Sequence, residues 1–155
     1  MDKVLRDIHI FLAHAIRLEA DAAAGFEDLA EAMATLGNRE VEQFFRSMAA
    51  YSRKHLAEAT ARAGFRHPPE LAPEEWEWPG GSSPELAGWT GVDGMMGVDA
   101  ALDLALQSEC RGRDFYAQVA EKTENEKIRA LAAEFAAEEE EHVAQLENWL
   151  ERLDG

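Results

Sequence analysis

The sequence predicts an all-α fold, in which two antiparallel helical hairpins form a four-helix bundle and a long crossover connection joins them. Three observations lead to this prediction. All five prolines fall between Pro68 and Pro84, so they interrupt the chain once, near its middle. On either side, the sequence is rich in alanine, glutamate, leucine and arginine, which favour helices. Neither flank shows the strict alternation of apolar and polar residues that is typical of strands.

One helix-breaking sequence divides each flank, so four helices are predicted. Gly37-Asn38 indicates the end of one helix and the start of the next. Thr123-Glu124-Asn125-Glu126 matches the capping box, in which the threonine accepts a hydrogen bond from a free backbone N–H. The predicted helices cover about 4–36, 39–63, 97–122 and 125–152, and the irregular crossover covers about 65–91. We expect this crossover, which carries Trp76, Trp78 and Trp89, to pack across the bundle as a covering layer.

Length and charge limit the classes of function. The 155 residues suit a single domain, 1–155, and 15 Lys+Arg against 31 Asp+Glu give a formal net charge of −16. This acidity argues against nucleic acid and anionic membrane surfaces as partners, and it favours metal cations. The single cysteine, Cys110, excludes a disulfide framework and a CxxC metal site. Because no signal-peptide core and no stretch of about 18 apolar residues is present, we expect a soluble, cytoplasmic protein.

Apolar residues at spacings of three and four mark the face of each helix that is expected to lie in the core. Polar residues interrupt every one of these apolar stripes near its middle, which is where the helices of an antiparallel bundle meet. The interruptions are Glu19 in the first helix, Ser52 and His55 in the second, Glu109 in the third, and Glu139 and His142 in the fourth.

Other polar residues are expected to have ordinary roles. The remaining histidines, His9, His14 and His67, are predicted to lie at the surface. The glutamates that flank Glu139, namely Glu138, Glu140 and Glu141, are predicted to form a solvated face. Tyr116 is predicted to be a core residue whose hydroxyl forms a hydrogen bond near Glu109.

Carboxylates and histidines that meet inside a core predict a metal site. Burying one carboxylate costs on the order of several kcal/mol and several together repel each other, whereas a divalent cation cancels the repulsion. In Glu139-x-x-His142, both side chains lie on one face of a helix, one turn apart. Carboxylate oxygens mixed with imidazole suit iron, manganese or zinc better than calcium. The candidate ligands are Glu19, His55, Glu109, Glu139 and His142.

Over all four helices, the chain resembles the ferritin-like domain of the rubrerythrin family. Glu19 and Glu109 match the lone glutamates of two helices, Glu139 with His142 matches a Glu-x-x-His motif, and Phe115-Tyr116 matches the Phe-Tyr pair that follows a ligand. The resemblance implies one or two bound iron ions, chemistry on O₂ or H₂O₂, and a homodimer. Since the sequence has no CxxC rubredoxin motif, it also implies a separate electron donor.

The ligand set departs from that of the family at two positions. Ser52 stands where the first Glu-x-x-His motif has its glutamate, which bridges the two metals in the family, and Gly112 replaces a second glutamate of the third helix. Three outcomes follow: a weakened dinuclear site, a mononuclear site around Glu109, Glu139 and His142, or no metal at all. In the last case the chain would be a degenerate ferritin-like bundle that acts as a binding or assembly module without catalysis.

Overall fold

A computed structural model describes residues 1–62, 64, 70–79, 83–84 and 95–154 of the protein. Within these ranges the main elements are helices: α1 (Asp2–Arg6), α2 (Ile8–Leu36), α3 (Arg39–Arg62), a 3₁₀ turn (Pro73–Glu75), α4 (Val98–Lys122) and α5 (Glu126–Asp154). The predicted all-α fold is confirmed, and the four long helices lie close to the predicted ranges. In the described part of the chain, no helix has both the length and the apolarity that are needed to cross a membrane.

The first predicted helix is interrupted near its start, which the apolar spacing did not indicate. Asp7 has an extended backbone, with φ −113° and ψ 113°, and it separates α1 from α2. Its carboxylate Oδ1 accepts hydrogen bonds from the backbone N–H groups of His9 (2.9 Å) and Ile10 (3.3 Å). Aspartate in this position caps a helix rather than continuing one, because its short side chain competes for the backbone donors.

The turn between α2 and α3 forms as the sequence predicts. Gly37 has a left-handed backbone, with φ 85°, which costs glycine nothing because it has no Cβ. Its N–H bonds to the carbonyl of Ala34 (3.1 Å), and the N–H of Asn38 bonds to that of Met33 (2.9 Å). The Asn38 side chain then accepts a hydrogen bond from the N–H of Val41 (3.1 Å) and so caps the start of α3.

The start of α5 is capped by a different residue from the one predicted. The Oδ1 atom of Asn125 accepts hydrogen bonds from the N–H groups of Lys127 (3.0 Å) and Ile128 (3.1 Å). The Thr123 hydroxyl instead donates to the carbonyl of Leu5 (2.6 Å) and accepts from the N–H of Asn125 (3.1 Å). Thr123 thus accepts a backbone hydrogen bond, as predicted, but it also ties the loop to α1, and the residue that caps α5 is Asn125.

Asn125→Ala is expected to lower the free energy of unfolding by about 1 kcal/mol, the usual cost of losing a side-chain cap. Urea unfolding followed by circular dichroism measures this change. Asn148→Ala is the matched control, because Asn148 is exposed inside α5 and alanine favours a helix there. An equal loss of stability in both variants would contradict the role of Asn125 as the cap.

Most contacts between helices are made within two hairpins, α2 with α3 and α4 with α5. The apolar faces form two clusters on either side of a polar middle. One cluster includes Phe11, Leu12, Tyr116, Ile128 and Phe135, and the other includes Phe26, Leu29, Phe45, Leu102 and Leu146. The apolar stripes thus face the core as predicted. Leu36 and Leu153, the last members of the predicted stripes of the first and fourth helices, are exposed.

The described part of the crossover covers α2, as predicted for Trp76 and Trp78. The two indole rings stack on each other, with their centroids 5.8 Å apart, and both contact His14, at 5.0 and 4.5 Å. Trp78 also contacts Phe115, at 5.2 Å. The predictions for Trp89 and His67, and for most of the crossover, fall outside the described residues.

The prediction that His14 lies at the surface is wrong, because the crossover buries this side chain completely. Its Nδ1 is 2.8 Å from the carbonyl oxygen of Ile10, and its Nε2 accepts a hydrogen bond from the N–H of Glu77 at 2.8 Å. The Glu77 carboxylate in turn accepts from the N–H of Val4 (2.8 Å). His9, in contrast, is exposed as predicted. His14 therefore anchors the crossover to the first turns of α2.

Candidate metal centre

All five predicted ligands are buried in the polar middle of the bundle. Their helical positions place them there, since each continues the apolar stripe of its own helix. They do not form a single group, however. Among the described residues, the structure divides them between two clusters, and a glutamate that the sequence analysis assigned to the surface joins one of them.

The first group, here named the His142 cluster, consists of Glu109 from α4 and Glu139 and His142 from α5. One ligand atom from each side chain lies within 4.8 Å of the other two. The Nδ1 atom of His142 is 3.4 Å from Oε2 of Glu109 and 3.9 Å from Oε2 of Glu139. The second oxygen of Glu109, Oε1, is buried and has no hydrogen-bond partner among the described residues. Two carboxylates and one imidazole thus face a common point.

The second group, here named the His55 cluster, consists of Glu19 from α2, His55 from α3 and Glu138 from α5. The Nδ1 atom of His55 is 3.7 Å from Oε1 of Glu19, and its Nε2 is paired with Oε2 of Glu138. The imidazole therefore lies between two carboxylates, with one of its nitrogens facing each.

Glu138 is the member of this cluster that the sequence analysis missed. It is half-buried rather than solvated, whereas Glu140 and Glu141 are exposed as predicted. The sequence contained a signal for this position of Glu138. Glu134 and Glu138 are one helical turn apart and form an acidic row along α5. That row faces α3, where Arg62 pairs with Glu134 at 2.7 Å and His55 pairs with Glu138.

Two further polar residues complete the middle of the bundle. Ser52 is buried beside the centre, and its hydroxyl has no hydrogen-bond partner in the described part of the chain. The hydroxyl of Tyr116 is 3.3 Å from Oε1 of Glu19, which belongs to the other hairpin. The structure thus places this hydroxyl against Glu19, where the sequence analysis expected a hydrogen bond near Glu109.

Burial and neighbouring carboxylates act in opposite directions on both histidines. Burial lowers the pKa of His142, but the hydrogen bond and the charge of Glu109 outweigh it, so this pKa stands above its ordinary value. Burial also lowers the pKa of His55. Glu19 and Glu138 together raise it by more than burial lowers it, so this pKa too stands above its ordinary value. Burial raises the pKa of Glu138 in spite of the opposing charge of His55. In both clusters, the carboxylates therefore favour the protonated form of the imidazole.

Tyr51 covers the two histidines from the solvent side. Its ring contacts His142 edge-on, with centroids 4.6 Å apart, and lies 5.2 Å from the ring of His55. The residue is 37 % exposed, so one part of the ring faces solvent. Burial, followed by the charge of Glu138, raises the pKa of Tyr51 above its ordinary value. Tyr51 thus limits the access of water to both clusters.

Comparisons with known proteins identify the family of the chain. A family model described as rubrerythrin matches residues 100–155, the segment that carries Glu109, Glu139 and His142. The crystal structure of an uncharacterized conserved protein from Magnetospirillum magnetotacticum MS-1 is similar to this chain, with 34 % sequence identity and a TM-score of 0.73. The similarity covers 92 % of each of the two chains. Among curated proteins no match was found. The helical bundle, its buried carboxylates and histidines and these similarities lead to one conclusion: the chain belongs to the rubrerythrin family of metal-binding, ferritin-like proteins.

Proposed function

We propose that the protein binds iron at the His142 cluster and uses it in redox chemistry on O₂ or H₂O₂. The observation that carries the proposal is the convergence of Glu109, Glu139 and His142, whose ligand atoms lie within 4.8 Å of one another in a buried position. Membership of the rubrerythrin family supports the same metal.

The donor set of the cluster fits a divalent transition metal. Two carboxylates together carry two negative charges, which one divalent cation neutralises. The Oε1 atom of Glu109 offers an acceptor that has no hydrogen-bond partner among the described residues. Imidazole nitrogen combined with carboxylate oxygen suits iron, manganese and zinc, whereas calcium prefers six or more oxygens. Of these metals, zinc has no redox chemistry, and manganese stays a second candidate.

The residues around the cluster have separate tasks in this proposal. Glu109 and Glu139 would bind the metal ion and neutralise its positive charge. The Nδ1 atom of His142 faces both carboxylates. Tyr51, packed against the ring of His142, keeps bulk water from the cluster. Bound iron would supply one-electron steps between its two common oxidation states. A separate electron donor belongs to the proposal, since the single cysteine of these 155 residues cannot form a CxxC redox motif.

Metal analysis tests the proposal. The wild-type protein and Glu139→Gln are produced with Fe²⁺, Mn²⁺ and Zn²⁺ available. The metal content of each purified protein is then measured by elemental mass spectrometry. Stoichiometric iron is expected in the wild type, and less than about 0.1 ion per chain in Glu139→Gln, because each ligand is needed to offset the cost of dehydrating the ion. Glu141→Gln is the matched control, since Glu141 is exposed on the same helix and should keep the metal.

Two outcomes would contradict the proposal. Less than about 0.1 ion per wild-type chain, unchanged in Glu139→Gln, would exclude metal binding and favour a bundle that acts as a binding or assembly module. Iron that is bound but consumes neither O₂ nor H₂O₂ when a reductant is supplied would exclude the redox activity and leave a non-catalytic metal site.

The homodimer and the cytoplasmic location stay predictions. Three exposed apolar side chains, Leu36, Met95 and Leu153, lie at the end of the bundle where α2 and α5 finish and α4 begins. An apolar surface of this kind is consistent with association between copies of the chain.

A further inference from the structure

The two hairpins repeat one contact between a histidine and a glutamate. In the first hairpin, Nδ1 of His55 is 3.7 Å from Oε1 of Glu19, and in the second, Nδ1 of His142 is 3.4 Å from Oε2 of Glu109. In both cases the histidine belongs to the second helix of the hairpin and uses the same nitrogen. The centre is thus built from two related halves, each with one histidine and one glutamate.

The halves differ in the residue that comes three positions before the histidine. In α5 this residue is Glu139, and in α3 it is Ser52, and both side chains are 1 % exposed. Glu139 adds a second carboxylate to its half, which becomes a group of three convergent ligands. Ser52 adds only a neutral hydroxyl, which has no hydrogen-bond partner among the described residues. A neutral hydroxyl is a poor ligand for a divalent metal compared with a carboxylate.

The second nitrogen of His55 is also engaged. Its Nε2 is paired with Glu138, so both nitrogens of this imidazole contact carboxylates. A metal ion at His55 would have to displace one of these two contacts. His142, in contrast, meets both Glu109 and Glu139 through one nitrogen, Nδ1.

We propose that the centre holds one metal ion per chain, at the His142 cluster, and that Ser52 is the residue that sets this number. The inference rests on the proposed function, because it needs the His142 cluster to bind metal. The His55 cluster remains a set of contacts among protein side chains. Restoring a carboxylate at position 52 gives the first half the same three ligand types as the second half, and so creates a site for a second ion.

Manganese binding tests the inference directly. Wild-type protein, Ser52→Glu and Ser47→Glu are equilibrated with Mn²⁺, and the bound ions are counted by equilibrium dialysis. We expect one ion in the wild type and two in Ser52→Glu. Ser47→Glu is the matched control, because Ser47 is exposed on the same helix and the variant gains the same charge, so it should bind one ion. In Ser52→Glu the electron paramagnetic resonance spectrum should also change, because two neighbouring Mn²⁺ ions couple magnetically.

Circular dichroism establishes whether each variant folds. If Ser52→Glu does not fold, Ser52→Asp introduces a smaller carboxylate at the same position. Glu138→Gln is a second test, which asks whether Glu138 is a metal ligand in the wild-type protein. Glu138→Gln should still bind one ion, because Glu138 contacts His55 and not the metal. Two ions in the wild type, with one in Glu138→Gln, would overturn the inference by making Glu138 a ligand.

The remaining outcomes separate this inference from the proposed function. One ion in the wild type and still one in folded Ser52→Glu would overturn the role of Ser52 and leave the proposed function intact. No ion in the wild type would overturn both.

Discussion

Without metal, Glu139→Gln is expected to be more stable than the wild-type protein, by about 1 kcal/mol in the free energy of unfolding. In the His142 cluster, two buried carboxylates share one imidazole, so negative charge is in excess when no cation is bound. Glutamine has nearly the same shape as glutamate and removes one charge. Urea unfolding of both proteins in the presence of a chelator measures the difference.

Added metal should reverse this order. A ligand that binds only the folded state stabilises it by RT ln(1 + [L]/Kd), about 2.7 kcal/mol at a hundredfold excess over Kd. The wild-type protein should gain this amount from Fe²⁺ or Mn²⁺, whereas Glu139→Gln should gain little. Glu141→Gln, which changes an exposed residue on the same helix, should behave as the wild type does. A metal-free wild type that is more stable than Glu139→Gln would show that the carboxylate contributes to folding rather than opposing it.

His14→Ala is expected to lower the free energy of unfolding by about 3 kcal/mol, because it leaves a cavity and removes one buried and one part-buried hydrogen bond. The imidazole is fully buried, and it contacts both Trp76 and Trp78. Urea unfolding measures the loss, and tryptophan fluorescence reports whether the crossover detaches from α2. His9→Ala is the control, since His9 is exposed on the same helix and its replacement should cost less than about 0.5 kcal/mol. Similar losses in the two variants would contradict the anchoring role of His14.

The contribution of His14 should also depend on pH. Burial lowers the pKa of His14 below its ordinary value of 6.5, and its Nε2 accepts a hydrogen bond, which requires the neutral ring. When the pH falls below about 6.5, the unfolded chain therefore binds a proton before the folded protein does. The stability that His14 contributes is complete above this pH and is lost as the pH falls toward the lower pKa of the folded state.

His55 and His142 act in the opposite direction, because their pKa values are raised and their contribution is lost as the pH rises. The difference in unfolding free energy between the wild type and His14→Ala isolates His14, since both proteins keep the other two histidines. This difference should shrink as the pH is lowered from about 7 to about 5. If the difference in unfolding free energy does not change with pH, His14 is not a neutral ring that is held by two hydrogen bonds in the folded protein.

The helices and the apolar stripes could be predicted because they depend on local spacing. The positions of Glu19, Glu109, Glu139 and His142 in the core followed from the same spacing, since a residue on the stripe of a bundle helix faces inward. The break at Asp7 could not be read from spacing. It depends on whether a short acidic side chain caps the next helix or leaves the first one to continue.

The missed residues depend on neighbours that are far away in the sequence. His14 is buried by Trp76 and Trp78, which lie 62 and 64 residues further along the chain, so its position beside the stripe gave no warning. Glu138 faces His55 because α3 and α5 are adjacent, and the order of helices along the chain does not determine which of them are neighbours. Such residues become visible only when the packing of the helices is known.

The polar middle of the bundle also determines how the two hairpins are aligned along its axis. Tyr116 of α4 contacts Glu19 of α2, and Glu138 of α5 contacts His55 of α3, so each hairpin touches the other through paired polar groups. Apolar clusters tolerate sliding, because one methyl group packs much like another, but a shift of one helical turn would leave these buried groups without partners. The residues that make the metal centre costly to bury thus give the bundle a single register.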